Sequence, residues 1–240
     1  MLKPQVILAL ETSTSACSVA LKVGENAAEQ LYKEGNNLHS KCLLGMVDEL
    51  IHKNGVSLKD VDLLVSGVGP GAFTGLRIGV GVAQGLAYSH SIPVLGVTSL
   101  QALAQSQSTN MQPNEHVVVG LDARMSEIYW TIFCKQKNHS LTEIFESHYL
   151  EAPENIELII ESSAVFVGNA WSFYVNDFSI ETKDILKKAH IIDLLPQAAD
   201  LIEYALSQDI VMNAKDCFEL SPLYIRNDIA KKKTNNPLLK

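Results

Sequence analysis

Seven glycines occur within the 21 residues at positions 67–87, GVGPGAFTGLRIGVGVAQGLA, a density that suits either phosphate binding or close packing. Gly67, Gly69 and Gly71 follow a predicted strand and precede a predicted helix, where backbone N–H groups can hold an anion. Their spacing matches neither the P-loop pattern nor the dinucleotide-binding pattern, and Pro70 removes one N–H donor. The pattern therefore indicates a nucleotide site only weakly, with Gly69 and Gly71 as its candidate contacts.

The second half of this segment has the spacing of a packing surface. Gly75, Gly79, Ala83 and Ala87 recur every four residues, which places them on one face of a helix that another element can approach closely. Each interior glycine costs a helix about 1 kcal/mol relative to alanine, so close packing has to offset that cost. Spacing alone leaves open whether the packing is within the chain or between subunits.

Few side chains elsewhere could act as a base, a nucleophile or a metal ligand. Glu11 ends the first predicted strand without a second acid nearby. Asp122 and Arg124 lie in a predicted hairpin turn, where an ion pair within the turn is the favoured interpretation. No two of the seven histidines are spaced i, i+4, and the four cysteines include no CxxC pair. We therefore assign no catalytic residue and no metal ligand, and keep Glu11, Asp122 and Arg124 as candidate nucleotide or partner contacts.

The composition is that of a soluble globular protein and argues against direct nucleic-acid binding. Of 240 residues, 47% are hydrophobic and 19% charged, and the formal net charge is −8. No run approaches the roughly 20 apolar residues of a membrane span. Phosphate contacts need clustered Lys and Arg, but the lysine run at 231–233 is interpreted as a solvated tail. Because the cysteines are dispersed, we predict a reducing, cytoplasmic location without membrane contact.

Hydrophobic periodicity predicts two α/β halves that each begin with three strands. The first half has strands at 6–11, 17–23 and 27–33, a helix at 38–54, a strand at 63–66, the glycine-rich helix at 74–89, a strand at 93–97 and a helix beginning at Thr98 or Ser99. The second has strands at 117–121, 128–133 and 143–150, a weak helix at 155–162, a strand at 164–168 and a helix at 196–207. We predict lobes at 1–108 and 109–217, with 218–230 packing back on the first lobe and 231–240 as a flexible tail.

Four segments resemble the TsaB (YeaZ) family of bacterial proteins: LETSTSACSVAL at 10–21, the glycine-rich segment at 67–87, PVLGVTSLQALA at 93–104 and LDARMSEIYW at 121–130. The resemblance covers nearly the whole chain. It implies an α/β architecture of the actin-like ATPase (ASKHA, ribonuclease H-like) kind, with two similar βββαβα lobes. It also implies a non-catalytic role in the synthesis of tRNA threonylcarbamoyladenosine, in partnership with the catalytic subunit TsaD and the ATPase TsaE.

The resemblance further implies that a metal site of the catalytic relatives is missing. Those relatives carry an HxxxH pair after the strand and turn that read LGVTS here, and Ser99 and Leu103 occupy the two positions. Leucine cannot ligate a metal. Where the relatives' first turn carries acids, this chain has Ser15 and Ala16. We expect no catalysis by the chain alone, no cofactor in isolation, ATP or ADP in the complex at most, and only indirect contact with tRNA.

Fold relatives pair through helices, so the resemblance places the partner contact on the helices predicted at 38–54 and 74–89. The same contact face is expected to form a homodimer when TsaD is absent. The predicted contact residues are His39, Leu43, Met46, Val47, Leu50, Gly75, Leu76, Gly79, Val82 and Ala83.

Two other classes of function stay open. A kinase or a metalloprotease of the same fold would need a second phosphate loop with a carboxylate across the cleft, or metal ligands, which the sequence does not show. A module that senses nucleotide, such as ADP at the interface with a partner, would leave no side-chain signature, because backbone N–H groups can bind phosphate.

Overall fold

The first lobe is built on a mixed sheet of five strands. The structure is a computed structural model that describes residues 4–138, 140–144, 149–158 and 164–226. The strands are β1 (Val6–Glu11), β2 (Ala16–Val23), β3 (Glu29–Glu34), β4 (Leu63–Gly67) and β5 (Val94–Val97). Their order is β3-β2-β1-β4-β5, with β1, β4 and β5 parallel and β2 antiparallel to both neighbours. The helices of this half are α1 (His39–Lys53), α2 (Phe73–His90) and α3 (Ser99–Ser108).

The second lobe repeats this topology. Its strands are β6 (His116–Asp122), β7 (Ile128–Lys135), β8 (Leu141–Glu143), β9 (Tyr149–Glu151), β10 (Val165–Val167) and β11 (His190–Ile192). Its helices are α4 (Ala170–Phe173), α5 (Ile180–Leu186) and α6 (Ala198–Ser207). The order is β11-β10-β6-β7-β8, so β6, β7, β8, β10 and β11 take the places of β1 to β5, with the same orientations. The predicted actin-like ATPase fold with two similar lobes is confirmed.

The core is continuous between the two sheets because the last helix of each half packs on the sheet of the other half. Helix α6 packs against β1, β2 and β4, while α3 packs against β6, β7 and α6. Thr98 caps α3, since its hydroxyl accepts a hydrogen bond from the Gln101 N–H. Helices α1 and α2 cover the opposite face of the first sheet. The predicted lobe boundaries at 108 and 217 stay predictions, and the predicted tail at 231–240 lies outside the described residues.

Several predicted elements of the second half differ from the structure. Of the strand expected at 143–150, residues 145–148 lie outside the described residues, and on either side of them β8 and β9 pair with different parts of β7. The helix expected at 155–162 is, within the described residues, one 3₁₀ turn at Pro153–Asn155, and 159–162 lie outside them. Helices α4 and α5 and strand β11 were not predicted, because they are too short to show a period. No helix of the described residues combines the length and apolar character that crossing a membrane requires.

The described part of the C-terminal segment, residues 217–226, follows α2 back towards its start. Phe218 packs against Tyr88 near the end of α2, with ring centroids 5.6 Å apart. Tyr224 accepts a hydrogen bond from Arg77 Nε (3.0 Å) in the first turns of α2. The segment then reaches the β6–β7 turn of the second lobe, where Arg226 forms an ion pair with Glu127. The segment thus contacts both lobes.

Candidate functional site

Glu11, at the end of β1, is enclosed by its own chain. The residue is 1% exposed. Its carboxylate accepts hydrogen bonds from the Ser13 N–H (2.5 Å) and the Ser99 hydroxyl (3.4 Å). Burial raises the pKa of Glu11, and the bonds from Ser13 and Ser99 oppose that rise. Gly67 on β4 leaves the space that this carboxylate fills, because a β-carbon there would overlap it. The Glu11 carboxylate therefore forms hydrogen bonds inside the first lobe and is closed off from solvent.

Three glycines of the glycine-rich segment let α2 pack on the β1–β2 turn. A β-carbon at Gly71 would overlap the Ser13 carbonyl oxygen, and one at Gly75 or Gly79 would overlap Thr12. The Thr12 hydroxyl donates to the Gly75 carbonyl (2.9 Å), and the N-cap N–H of α2 donates to the Ser13 carbonyl (2.6 Å). Carbonyl oxygens of the turn thus lie at the N-terminus of α2, where a phosphate would otherwise bind. These glycines allow close packing within the chain, so the packing that their spacing indicated is intramolecular.

Asp122 ends β6, the position in the second lobe that corresponds to Glu11. Its carboxylate accepts hydrogen bonds from the Tyr174 hydroxyl (2.7 Å) and the Arg124 N–H (2.8 Å). The ion pair favoured from the sequence is present, with Arg124 Nη1 3.3 Å from Asp122 Oδ2. Burial and the Asp122 carboxylate raise the pKa of Tyr174 to about 12. Sequence reasoning missed Tyr174 and also Asn169, whose side chain accepts the Asp122 N–H (3.0 Å), because neither lies in a motif.

The β6–β7 turn that carries Arg124 is strained. Arg124, Met125 and Ser126 have φ values of 63°, 56° and 58°. The left-handed conformation costs a non-glycine residue about 1–2 kcal/mol. Such strain persists only where the surroundings determine the conformation, and it clusters at binding and catalytic sites. The turn holds the side chains of Arg124 and Met125 out into solvent, at 81% and 66% exposure.

A cavity of about 290 Å³ lies between the two lobes beside Arg124. Its walls come from the β1–β2 turn, the first residues of α1 and α2, and Asp122 with Asn169. Ser13 lines this cavity at 1% exposure. The one acid of the lining, Asp122, is already bound to Arg124. His39 also lines the cavity, with its Nε2 3.1 Å from the Ala16 carbonyl oxygen. The cavity is therefore polar, and its one carboxylate is already paired.

Ser99 and Leu103 lie one turn apart on α3, and both are fully buried. The Ser99 hydroxyl donates to Glu11, while its N–H donates to the carbonyl of Gly69 (2.9 Å). Leu103 packs in the core between the sheets. Across the described ranges, no three His, Cys, Asp or Glu side chains come together as metal ligands would. The side chains at these two positions do not fit a metal site. Contact of Gly69, or of the other candidate residues, with a nucleotide stays a prediction.

The predicted partner contacts need correction, because the helix face that they form is turned inward. Leu43, Met46, Val47, Leu50 and Ala83 belong to the core of the first lobe, and the two glycines of the set lie against Thr12. His39, for example, is 8% exposed and its Nε2 lies 3.1 Å from the Ala16 carbonyl oxygen. The nine buried residues are His39, Leu43, Met46, Val47, Leu50, Gly75, Leu76, Gly79 and Ala83, and Val82 is half-buried.

The outward sides of the same helices carry small residues with apolar neighbours. Gly45 on α1 and Gly81 and Gly85 on α2 are exposed, and nothing lies within 4 Å of a β-carbon built on them. Leu44 is 58% exposed, and Ile78 is half-buried. We call these five residues the outer helix face.

A family model described as "TsaD: tRNA N6-adenosine threonylcarbamoyltransferase" matches residues 33–233. Two similar proteins are both called "tRNA threonylcarbamoyladenosine biosynthesis protein TsaB". The one from Haemophilus influenzae is 36% identical over 235 residues, covering 95% of this chain and 96% of its own. The one from Escherichia coli is 33% identical over 233 residues, covering 95% and 97%.

A solved structure supports the same relationship. The structure of YeaZ from Pseudomonas aeruginosa superposes with a TM-score of 0.78 at 33% sequence identity. The match covers 92% of this chain and all of that one. The likeness therefore extends over both lobes.

Proposed function

This chain belongs to the TsaB family, within the wider family that the TsaD model describes, and on that premise we propose that it is a non-catalytic subunit in tRNA threonylcarbamoyladenosine synthesis. It binds and supports TsaD, the catalytic subunit, together with TsaE. The complex transfers the threonylcarbamoyl group to the adenosine beside the anticodon of tRNAs that read ANN codons. Any ATP or ADP belongs to the complex, and the chain alone forms a homodimer in the cytoplasm.

The main support for this proposal is that the two acids at equivalent strand ends, Glu11 and Asp122, are already bonded within the chain. A carboxylate can act as a general base only when it lies within hydrogen-bond reach of the substrate. Glu11 is instead enclosed by Ser13 and Ser99, and Asp122 is bound to Arg124 and Tyr174. The carbonyl oxygens packed on the start of α2 further oppose a kinase-like phosphate site there. These features favour a supporting subunit over an enzyme.

The outer helix face supports the partner role. Exposed glycines in a helix are unfavourable unless they allow another backbone to approach closely. Gly81 and Gly85 are spaced i, i+4 and lie on one side of α2, with Ile78 beside them. We assign the contact with TsaD, and the homodimer contact in its absence, to this face.

The test combines a transfer assay with light scattering. The purified chain is mixed with TsaD and TsaE from the same organism, and threonylcarbamoyl transfer to tRNA is measured with and without it. We expect no transfer by the chain alone and a strong dependence of the complex on the chain. Transfer by TsaD and TsaE at the same rate without the chain would overturn the proposal.

Variants at Gly85 test the contact face separately. Gly85→Leu should abolish the homodimer mass and the TsaD complex while circular dichroism shows a folded monomer. Gly85→Ala is the matched control, because it keeps the position small, and it should retain both assemblies. An unchanged dimer mass for Gly85→Leu would show that the contact lies elsewhere, whatever the outcome of the transfer assay.

A further inference from the structure

The chain contains three arginines, of which two line one groove and the third lies at its rim. A cavity of about 300 Å³ lies between the start of α2, the β6–β7 turn and residues 223–226. Arg124 and Arg226 line it. Arg77 lies at its rim, with the guanidinium carbon 3.7 Å from the centroid of the Phe73 ring that lines it. We call this cavity the arginine groove. It adjoins the inter-lobe cavity, and the two share the lining residues Gly71, Ala72, Ala123, Arg124 and Tyr129.

The walls of the arginine groove are apolar and aromatic. Phe73, Tyr129 and Tyr224 supply the rings, and Leu76 and Ile225 are among the aliphatic side chains. The rings of Phe73 and Tyr224 lie 5.7 Å apart, with a tilt of 40° between their planes. Small-molecule sites have this composition, mainly apolar with a few convergent polar groups, and a volume of about 300 Å³ is the lower end of their range.

Of the three arginines at the groove, two form ion pairs and one does not. Arg226 is paired with Glu127, and Arg124 with Asp122, but neither of these acids lines the groove. Within the described part of the chain, Arg77 has no ion pair, and its Nε donates to the Tyr224 hydroxyl. The whole protein has a formal net charge of −8, so a group of three arginines contrasts with the negative charge of the chain as a whole.

We propose that the arginine groove binds a small organic anion with a planar apolar body. A guanidinium group presents a rigid, planar set of donors that matches carboxylate and phosphate groups, and it also stacks on aromatic rings. The aromatic walls accept the apolar body, and Arg77 and Arg124 hold the anionic group. Helix α2, the β6–β7 turn and the C-terminal segment each contribute one arginine, so the site exists only in the folded chain. The proposal does not depend on the role in tRNA modification.

The test uses two fluorescent probes of similar shape and different charge on the full-length chain. Anilinonaphthalenesulfonate is an aromatic anion with a planar naphthalene ring, and phenylnaphthylamine is its uncharged analogue. We expect saturable binding of the anion at one site. Arg77→Gln and Arg124→Gln should each weaken that binding about tenfold, as expected for the loss of one charged hydrogen bond, and leave the neutral probe unaffected. Ala72→Trp, which places a ring in the groove, should remove the binding of both probes.

Lys187→Gln is the matched control, because Lys187 is an exposed cation of the second lobe that pairs with Asp184 (2.7 Å) away from the groove. It should change neither affinity. Circular dichroism confirms that each variant is folded. The proposal is overturned if the anion shows no saturable binding, if Arg77→Gln and Arg124→Gln bind it as the wild type does, or if Lys187→Gln weakens it equally.

Discussion

Replacing Gly75 with alanine separates close packing from helix propensity, because the same helix offers a control at Gly81. Both glycines lie inside α2 and neither has a positive φ, so alanine favours the helix by about 1 kcal/mol at either position. At Gly81 nothing lies within 4 Å of the added carbon. At Gly75 the carbon would overlap the Thr12 carbonyl oxygen, a backbone atom that cannot rotate away.

The two substitutions should therefore differ by the cost of overpacking. Forcing an extra methyl into a packed interior costs about 1–3 kcal/mol. Gly81→Ala should raise the free energy of unfolding by about 1 kcal/mol. Gly75→Ala should range from no net change to a loss of about 2 kcal/mol, since propensity offsets part of the overpacking. The propensity contribution cancels in the comparison, which leaves a difference of about 1–3 kcal/mol.

Urea unfolding followed by circular dichroism measures this difference, at low protein concentration so that self-association does not contribute. Thermal unfolding checks the same difference, because about 1 kcal/mol corresponds to a shift in Tm of roughly 2–4 °C in a chain of this size. Gly45→Ala on α1, also in open space, is a second control and should behave like Gly81→Ala. Equal stabilisation by Gly75→Ala and Gly81→Ala would refute the explanation that the glycines exist for close packing.

Three further predictions concern charged groups. Lys135 is 5% exposed and donates to backbone carbonyls at the C-terminal end of α3, so Lys135→Met should lower the free energy of unfolding by about 1.5–3 kcal/mol, and an unchanged urea midpoint would contradict this. Burial, with the Glu203 charge nearby, raises the pKa of Asp200 to about 7. The folded state then binds more protons than the unfolded state between about pH 4 and pH 7, so stability falls as pH rises through that window. Asp200→Asn should lessen that fall in urea titrations at several pH values, and an identical pH profile would argue against it. Arg226→Met and Glu127→Gln should be non-additive in a double-mutant cycle of thermal unfolding, because each leaves the other charge unpaired, whereas additive effects would show that the pair is uncoupled.

Local pattern was sufficient for the parts of the fold with a long, regular period. Apolar spacing within a few residues predicts the hairpin of β1 and β2, helices α1 and α2, and the ends of the first-lobe strands. The short elements of the second half could not be obtained in this way. Helix α4, for instance, is one turn around the fully buried Trp171, and a single turn shows no period.

The sequence by itself determined the two-lobed α/β fold, the family and the presence of Ser99 and Leu103 in place of a histidine pair, because these depend on residue type and local order. The tertiary structure alone decided which helix faces are covered. Periodicity identifies an apolar face, but it does not say whether the chain itself or a partner buries it. The contact residues predicted on α1 and α2, except Val82, are buried within the chain. Likewise, Arg77, Arg124 and Arg226 are far apart in the chain, and only the packing of α2, the β6–β7 turn and the C-terminal segment brings them to one groove.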